Sequence, residues 1–172
     1  MSQKESFFQK EIKQKKPFRS FGAEAAMGLL ITADVLRGSW WPVVEQAGVS
    51  AQQYNVLRIL RGAGKEGLPT REIAARLLEK SPGITRFIDQ LESRGLIQRR
   101  RSTSDRRKVF CTITRSGLEL LSNLDKPVDK WDEESLSMLN GRELKQLIDF
   151  LERIHSFHAN LKEVHHGRSG SD

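Results

Sequence analysis

The strongest constraint on this chain lies between Ser81 and Thr112, where the segment SPGITRFIDQLES runs directly into RGLIQRRRSTSDRRKVFCT. In the first part Ile84, Phe87, Ile88 and Leu91 recur at i, i+3, i+4 and i+7. A helix there buries one face and leaves Pro82, Thr85, Arg86, Asp89 and Ser93 on the other. Ser81 is placed to cap this helix, Pro82 suits its first turn, and Gly95 supplies a left-handed residue to close it. Leu96 to Arg100 and Lys108 to Ile113 then read as two strands around a polar tip, Arg101 to Arg107. Arg94, Arg99, Arg100, Arg101 and Lys108 surround that tip with only Asp105 opposing them, so the hairpin calls for an anionic partner.

The rest of the chain reads as helices. Met1 to Arg19 mixes lysines with Phe7, Phe8 and Phe18 and is expected to be an arm or short helix packed on a partner subunit. Gly22 to Gln46 carries Ala26, Leu29, Leu30, Ala33 and Leu36, continued by Trp40, Trp41 and Val44, on one stripe of a long helix ended near Gly48. Ser50 caps a helix through about Gly62 with Tyr54, Leu57 and Ile59 or Leu60 inward. Thr70 to Lys80 is a short helix with Ile73, Ala74 and Leu77 facing the core. Followed at once by the Ser81 to Ser93 helix with its polar face, it makes a helix-turn-helix pattern.

Thr114 caps a further helix carrying Leu118, Leu121 and Leu124, which Pro127 is expected to kink or break. Trp131 and Leu136 carry the path onward. Asn140 and Glu143 form a capping-box pair that starts a last helix to about Val164. Its stripe of Leu144, Leu147, Ile148, Leu151, Ile154 and Leu161 is close to heptad spacing and suits packing against another subunit.

These elements imply a mainly α fold with a small β-hairpin wing, a winged helix-turn-helix module plus a helical dimerisation region from both chain ends. The divisions are residues 1–21, an N-terminal arm; 22–48, a first helix for dimerisation; 49–113, the winged module; 114–166, C-terminal helices for dimerisation; and 167–172, a disordered tail.

Composition narrows the partners. The 172 residues carry a formal charge of +7 with 37% hydrophobic and 30% charged side chains. Such a chain builds one or two small domains attracted to polyanions, nucleic acid ahead of membrane because no basic helix carries bulky apolar anchors. The single cysteine, Cys111, excludes an internal disulfide or a multi-cysteine zinc site and favours a reducing, cytoplasmic setting. Met1 to Ser20 lacks a signal-peptide core, and no stretch is long enough to span a bilayer.

No nucleophile elbow, P-loop, dinucleotide fingerprint or two-histidine metal motif is present, so neither an enzyme nor a cofactor is expected. His155 and His158 lie on the last helix without convincing ligand partners and read as interface histidines rather than a metal site. Cys111 reads as a small buried thiol. Trp40, Trp41 and Tyr54 could line a pocket for an aromatic effector, but their spacing favours core packing.

A helix entering a major groove needs short or basic side chains at its N-terminal end, where its amide dipoles favour phosphate. Ser81, Pro82, Gly83, Thr85 and Arg86 supply these. A tip of Arg106 and Arg107 suits a narrow minor groove, with Asp105 placed to orient one of them. The competing reading is a winged-helix module that binds protein and has no specific DNA readout.

The run from Ser50 to Leu121 resembles the MarR family of bacterial transcriptional regulators. The resemblance is carried by SAQQYNVLRIL, PTREIAARL, SPGITRFIDQLESRGLIQRR and SDRRKVFCTITRSGLELL. It implies that Asp105 and Arg107 are the family's D-x-R wing tip, with Arg107 in the minor groove, Asp105 positioning it and Arg106 secondary. It further implies a homodimer and repression rather than activation; taken with the reading helix, the wing and the aromatic residues, this gives binding to pseudo-palindromic double-stranded DNA, with a small aromatic ligand as the candidate effector.

Overall fold

The computed structural model describes residues 5–77, 83–101 and 109–168, with side chains described as far as 161. It divides into two units, residues 1–131 and 132–172.

In the first unit Ser6 caps α1 (Phe7–Glu11) and Ser20 caps α2 (Phe21–Glu45). The arm is thus partly helical, and it lies on its own chain. Gly28 allows this, because a Cβ there would come within 2.6 Å of the Phe8 ring. The apolar stripe of α2 stays largely outside the core: Gly28 and Val44 are its buried residues, whereas Ala26, Ala33 and Leu30, the last 67% exposed, face outward.

Gly48 turns the chain at φ +71° into α3 (Ala51–Ala63). Ser50 and Gln53 close a reciprocal capping box, the Ser50 Oγ accepting from the Gln53 amide at 3.2 Å and Gln53 Oε1 from the Ser50 amide at 3.0 Å. Tyr54, Val56, Leu57 and Leu60 are buried on this helix, with Ile59 partly so. A short 3-10 turn, Gly64–Glu66, leads to β1 (Leu68–Pro69) and α4 (Thr70–Arg76). The helix is shorter than the sequence suggested, since Leu77 leaves it in extended conformation and is buried.

The next helix, α5 (Ile84–Ser93), begins later than the sequence pattern implied. Gly83 stands at its N-cap with φ −97° and ψ 13°, outside the helical region. Glycine gains nothing from helix and has no side chain to cap with. Ser81 and Pro82 themselves lie outside the described residues. At the other end Gly95 takes φ +70° as expected. Its amide donates to the Glu92 carbonyl at 2.8 Å and the Leu96 amide to the Leu91 carbonyl at 2.9 Å, a Schellman closure.

The hairpin is β2 (Ile97–Arg101) and β3 (Val109–Ile113), paired antiparallel with Arg99 opposite Cys111. A third strand was not foreseen: β1 pairs with the far edge of β3, giving the order β1-β3-β2. Two residues including a proline carry no strand pattern, but proline is tolerated at a sheet edge.

Thr114 then caps α6 (Arg115–Ser135), its Oγ1 accepting from the Gly117 amide at 3.2 Å and donating to the Gly95 carbonyl at 2.7 Å. Of the two outcomes expected at Pro127, a break does not occur: α6 runs through it. Leu121 and Leu124 before it and Val128 after it are buried, and this packing outweighs the backbone hydrogen bond that proline forfeits.

The core lies under the helix-turn-helix and the sheet, built from Tyr54, Leu57, Leu60, Ile73, Ile88, Leu91, Ile97, Cys111 and Leu121. The second unit is the end of α6 and α7 (Gly141–Arg168). Asn140 Oδ1 accepts from the Arg142 and Glu143 amides, and Glu143 Oε2 returns to the Asn140 amide at 2.8 Å, the capping box read from the sequence. The helix passes Val164 and takes in Gly167 and Arg168, which had been assigned to the tail.

Gly67 is the most demanding position. Its φ of +71° and ψ of −167° fall in a region that essentially only glycine occupies, and a Cβ would land on the Cys111 carbonyl. Gly67→Ala should therefore lower unfolding stability by on the order of 3 kcal/mol. Denaturant unfolding followed by circular dichroism measures this; an unchanged midpoint would refute the close approach of β1 to β3.

Candidate nucleic-acid interface

Helix α5 is sealed on one side and open on the other. Ile88 and Leu91 are fully buried, with Ile84 and Phe87 partly so, while Thr85, Arg86 and Asp89 are exposed. The alternation follows from the helical period in the sequence, and it aims Thr85 and Arg86 away from the core. Gly83 stands just before them. Of the other residues expected at the interface, Ser81, Pro82, Asp105, Arg106 and Arg107 lie outside the described residues.

Three polar contacts hold α5. Gln53 Nε2 donates to Gln90 Oε1 at 2.9 Å, so the residue that closes the α3 cap also touches α5. Arg94 Nη1 donates to the Gly48 carbonyl at 2.7 Å. Arg99 on β2 reaches back to two carboxylates: its Nη1 donates to Glu92 Oε2 at 2.8 Å and its Nη2 to Asp89 Oδ1, while Glu92 Oε1 accepts the Arg99 amide at 3.1 Å.

These contacts correct the reading of the basic tract. Arg99 is compensated by Asp89 and Glu92, Arg94 is turned onto the backbone, and Arg100 donates to the Lys65 carbonyl at 3.1 Å. The cations near the wing are therefore not opposed by Asp105 alone. The hydrogen bond to Asp89, against some desolvation and with help from Glu92, raises the Arg99 pKa above its ordinary value. Neither acid was singled out as a partner in the sequence. Their i, i+3 spacing was visible, but the arginine between them arrives from a strand.

A cleft of about 240 Å³ lies between α2 and α3, lined by Arg37, Trp40, Trp41, Ala51, Gln52, Asn55 and Leu77. Tyr54 is core, as expected, and meets Trp40 edge-on with ring centroids 5.4 Å apart. The two tryptophans are not simply core: Trp41 is 39% exposed and both face the cleft. No group of three metal-ligating side chains is found among the described residues, and His155 and His158 are exposed on α7.

The MarR family model matches residues 49–109, from the residue after Gly48 to the start of β3. A crystal structure of a MarR transcription factor from Planctomyces limnophilus is 40% identical, covers 79% of this chain and 98% of its own, and superposes with a TM-score of 0.61. The chain belongs to the MarR family. Within it, the HTH-type transcriptional regulator FarR of Neisseria gonorrhoeae is 28% identical over 142 residues, 80% of this chain and 95% of FarR. NadR, solved in complex with 4-hydroxyphenylacetate, is 26% identical with a TM-score of 0.63 over 81% of this chain and 97% of NadR. This MarR-family transcriptional regulator has, among its described residues, no helix long and apolar enough to cross a membrane.

Cys111 is fully buried, and burial pushes its thiol pKa up, with the Thr70 hydroxyl 3.9 Å away and Arg99 only partly opposing the shift. The native thiol should react with an alkylating reagent at least about 100-fold more slowly than the unfolded chain at the same pH, since the thiolate is the nucleophile. Because the folded pKa is the higher one, stability should fall as pH rises through the unfolded value of about 8.5. Thiol labelling with and without denaturant checks the first, and a labelling rate equal in both would sink it.

Proposed function

We propose that this chain is a homodimeric repressor that binds a pseudo-palindromic site in double-stranded DNA. The observation that carries the reading is α5: its apolar face is locked into the core, Thr85 and Arg86 are exposed in its first turn, and the helix runs through the Gly95 turn into β2 of the wing. In this reading Ser81, Pro82, Gly83, Thr85 and Arg86 meet the major groove. The wing tip follows in the flanking minor groove, Asp105 aiming Arg107 with Arg106 beside it, as the family match supports.

The second subunit covers apolar surface that one chain leaves open. On α7 Ile148 is 53% and Phe157 62% exposed, and α2 presents Leu30 and Val35 to solvent. Faces of this kind on an isolated subunit mark an interface, and a second copy is the partner that a two-fold DNA site requires. Residues 22–48 and 114–166 thus serve dimerisation and 49–113 serve reading. Half-sites fall about 10 bp apart. A dimer carries 2 × 7 = +14, which supports tight, salt-sensitive binding in the cytoplasm. Repression follows from occupying the promoter.

The cleft of Trp40, Trp41 and Arg37 suits an aromatic acid, its ring against the indoles and its carboxylate near the Arg37 guanidinium, which also donates to Asp34 Oδ1 at 3.1 Å. NadR, a relative that holds an aromatic acid, supports this. Such a ligand releases DNA by binding better to a dimer whose reading helices are wrongly spaced.

The test is a titration onto DNA from upstream of the protein's own gene, at several salt concentrations and against random duplex. Arg107→Ala should weaken binding to A·T-flanked sites by roughly 1 to 3 kcal/mol per subunit, and Arg86→Ala should weaken it more evenly across sequences. Unchanged titrations for both variants would sink the reading mode. A stable protein complex that survives high salt, with no duplex preference, would favour the protein-interaction module instead.

A further inference from the structure

We propose that Arg99 is a positioning residue for DNA reading, fastening the wing strand to α5 through Asp89 and Glu92 and so setting where the wing tip points. The inference rests on the DNA-reading function proposed above and names a device within it.

Three observations carry it. First, the contact is built from both side chain and backbone. The Arg99 guanidinium spans two carboxylates one turn apart on α5, and Glu92 takes the Arg99 amide with its second oxygen. Because β2 is an edge strand, that amide is satisfied by the helix and not by another strand. Second, the contact sits at the root of the wing. β2 runs from Arg99 to Arg101, the end from which the sequence continues into the tip, so fixing Arg99 to α5 fixes that end of the strand.

Third, Asp89 lies three and four residues after Arg86 and Thr85, on the outward side of α5, and its side chain is 56% exposed. A bare carboxylate at this place would repel DNA phosphates. Arg99 neutralises it in place, which explains why an acid is tolerated on the reading side of the helix.

The geometry demands arginine. A planar fork holds two carboxylates at once, whereas an ammonium keeps the charge but has no fixed fork. Arg99→Lys therefore separates position from charge. Net charge, and with it the counterion contribution to nonspecific binding, stays the same.

The experiment uses the full chain. Affinity for the upstream DNA and for random duplex is measured at one salt concentration for the native protein and Arg99→Lys, with hydroxyl-radical footprints of both. The expected result is a loss of about tenfold or more in specific affinity with nonspecific affinity within about twofold, an effect of the size of one lost bidentate contact. The footprint should lose protection at its flanks, where the wing lies, and keep the centre of each half-site. Should Arg99→Lys melt below the assay temperature, the double variant Asp89→Asn with Glu92→Gln, which keeps side-chain shape and removes the partners' charge, takes its place; it adds two positive charges per subunit, so nonspecific affinity should rise while the ratio of specific to nonspecific affinity still falls about tenfold or more.

An unchanged ratio of specific to nonspecific affinity overturns the positioning role, as does a parallel fall in both, which marks general destabilisation. A native protein with no preference for the upstream DNA would instead count against the DNA-reading function itself.

Discussion

The packing of α5 onto α3 is the interaction on which the rest of the structure depends. Ile88 and Leu91 are fully buried in the same cluster as Val56, Leu57 and Leu60, and burying each such side chain is worth about 1.5 to 3 kcal/mol. That seam sets the rotation of α5 about its own axis. With the apolar side facing inward, Thr85 and Arg86 have only one direction left to point.

Polar contacts add precision that a greasy seam lacks. Apolar packing tolerates small slides, whereas Gln53 with Gln90, Arg94 with the Gly48 carbonyl, and Arg99 with Asp89 and Glu92 each accept a narrow range of geometry. Two of these three run to the corner between α2 and α3, close to the cleft of Trp40 and Trp41. Helix position and the cleft are therefore both tied to the same corner of the fold.

Much of the fold was legible because its signals are local. The apolar period of Ile84 to Leu91, the capping positions Ser50, Thr114 and Asn140, and the left-handed Gly95 each act within a few residues, and each stands in the structure as read. The failures are tertiary. β1 has two residues and exists only because β3 offers a free edge. The start of α5 moved to Ile84, with Gly83 at its N-cap position.

The candidate site divides in the same way. Residue types and spacing alone determined that a helix would present Thr85 and Arg86 on its polar face and that cations would gather near the wing, since periodicity and composition are properties of the chain. Which of those cations remain available was decided only by the tertiary structure. Arg94, Arg99 and Arg100 look equivalent in sequence, yet each finds an acceptor more than five residues away. Partners of that kind come from how helix and strand are brought side by side, and no one-dimensional pattern encodes the distance between them.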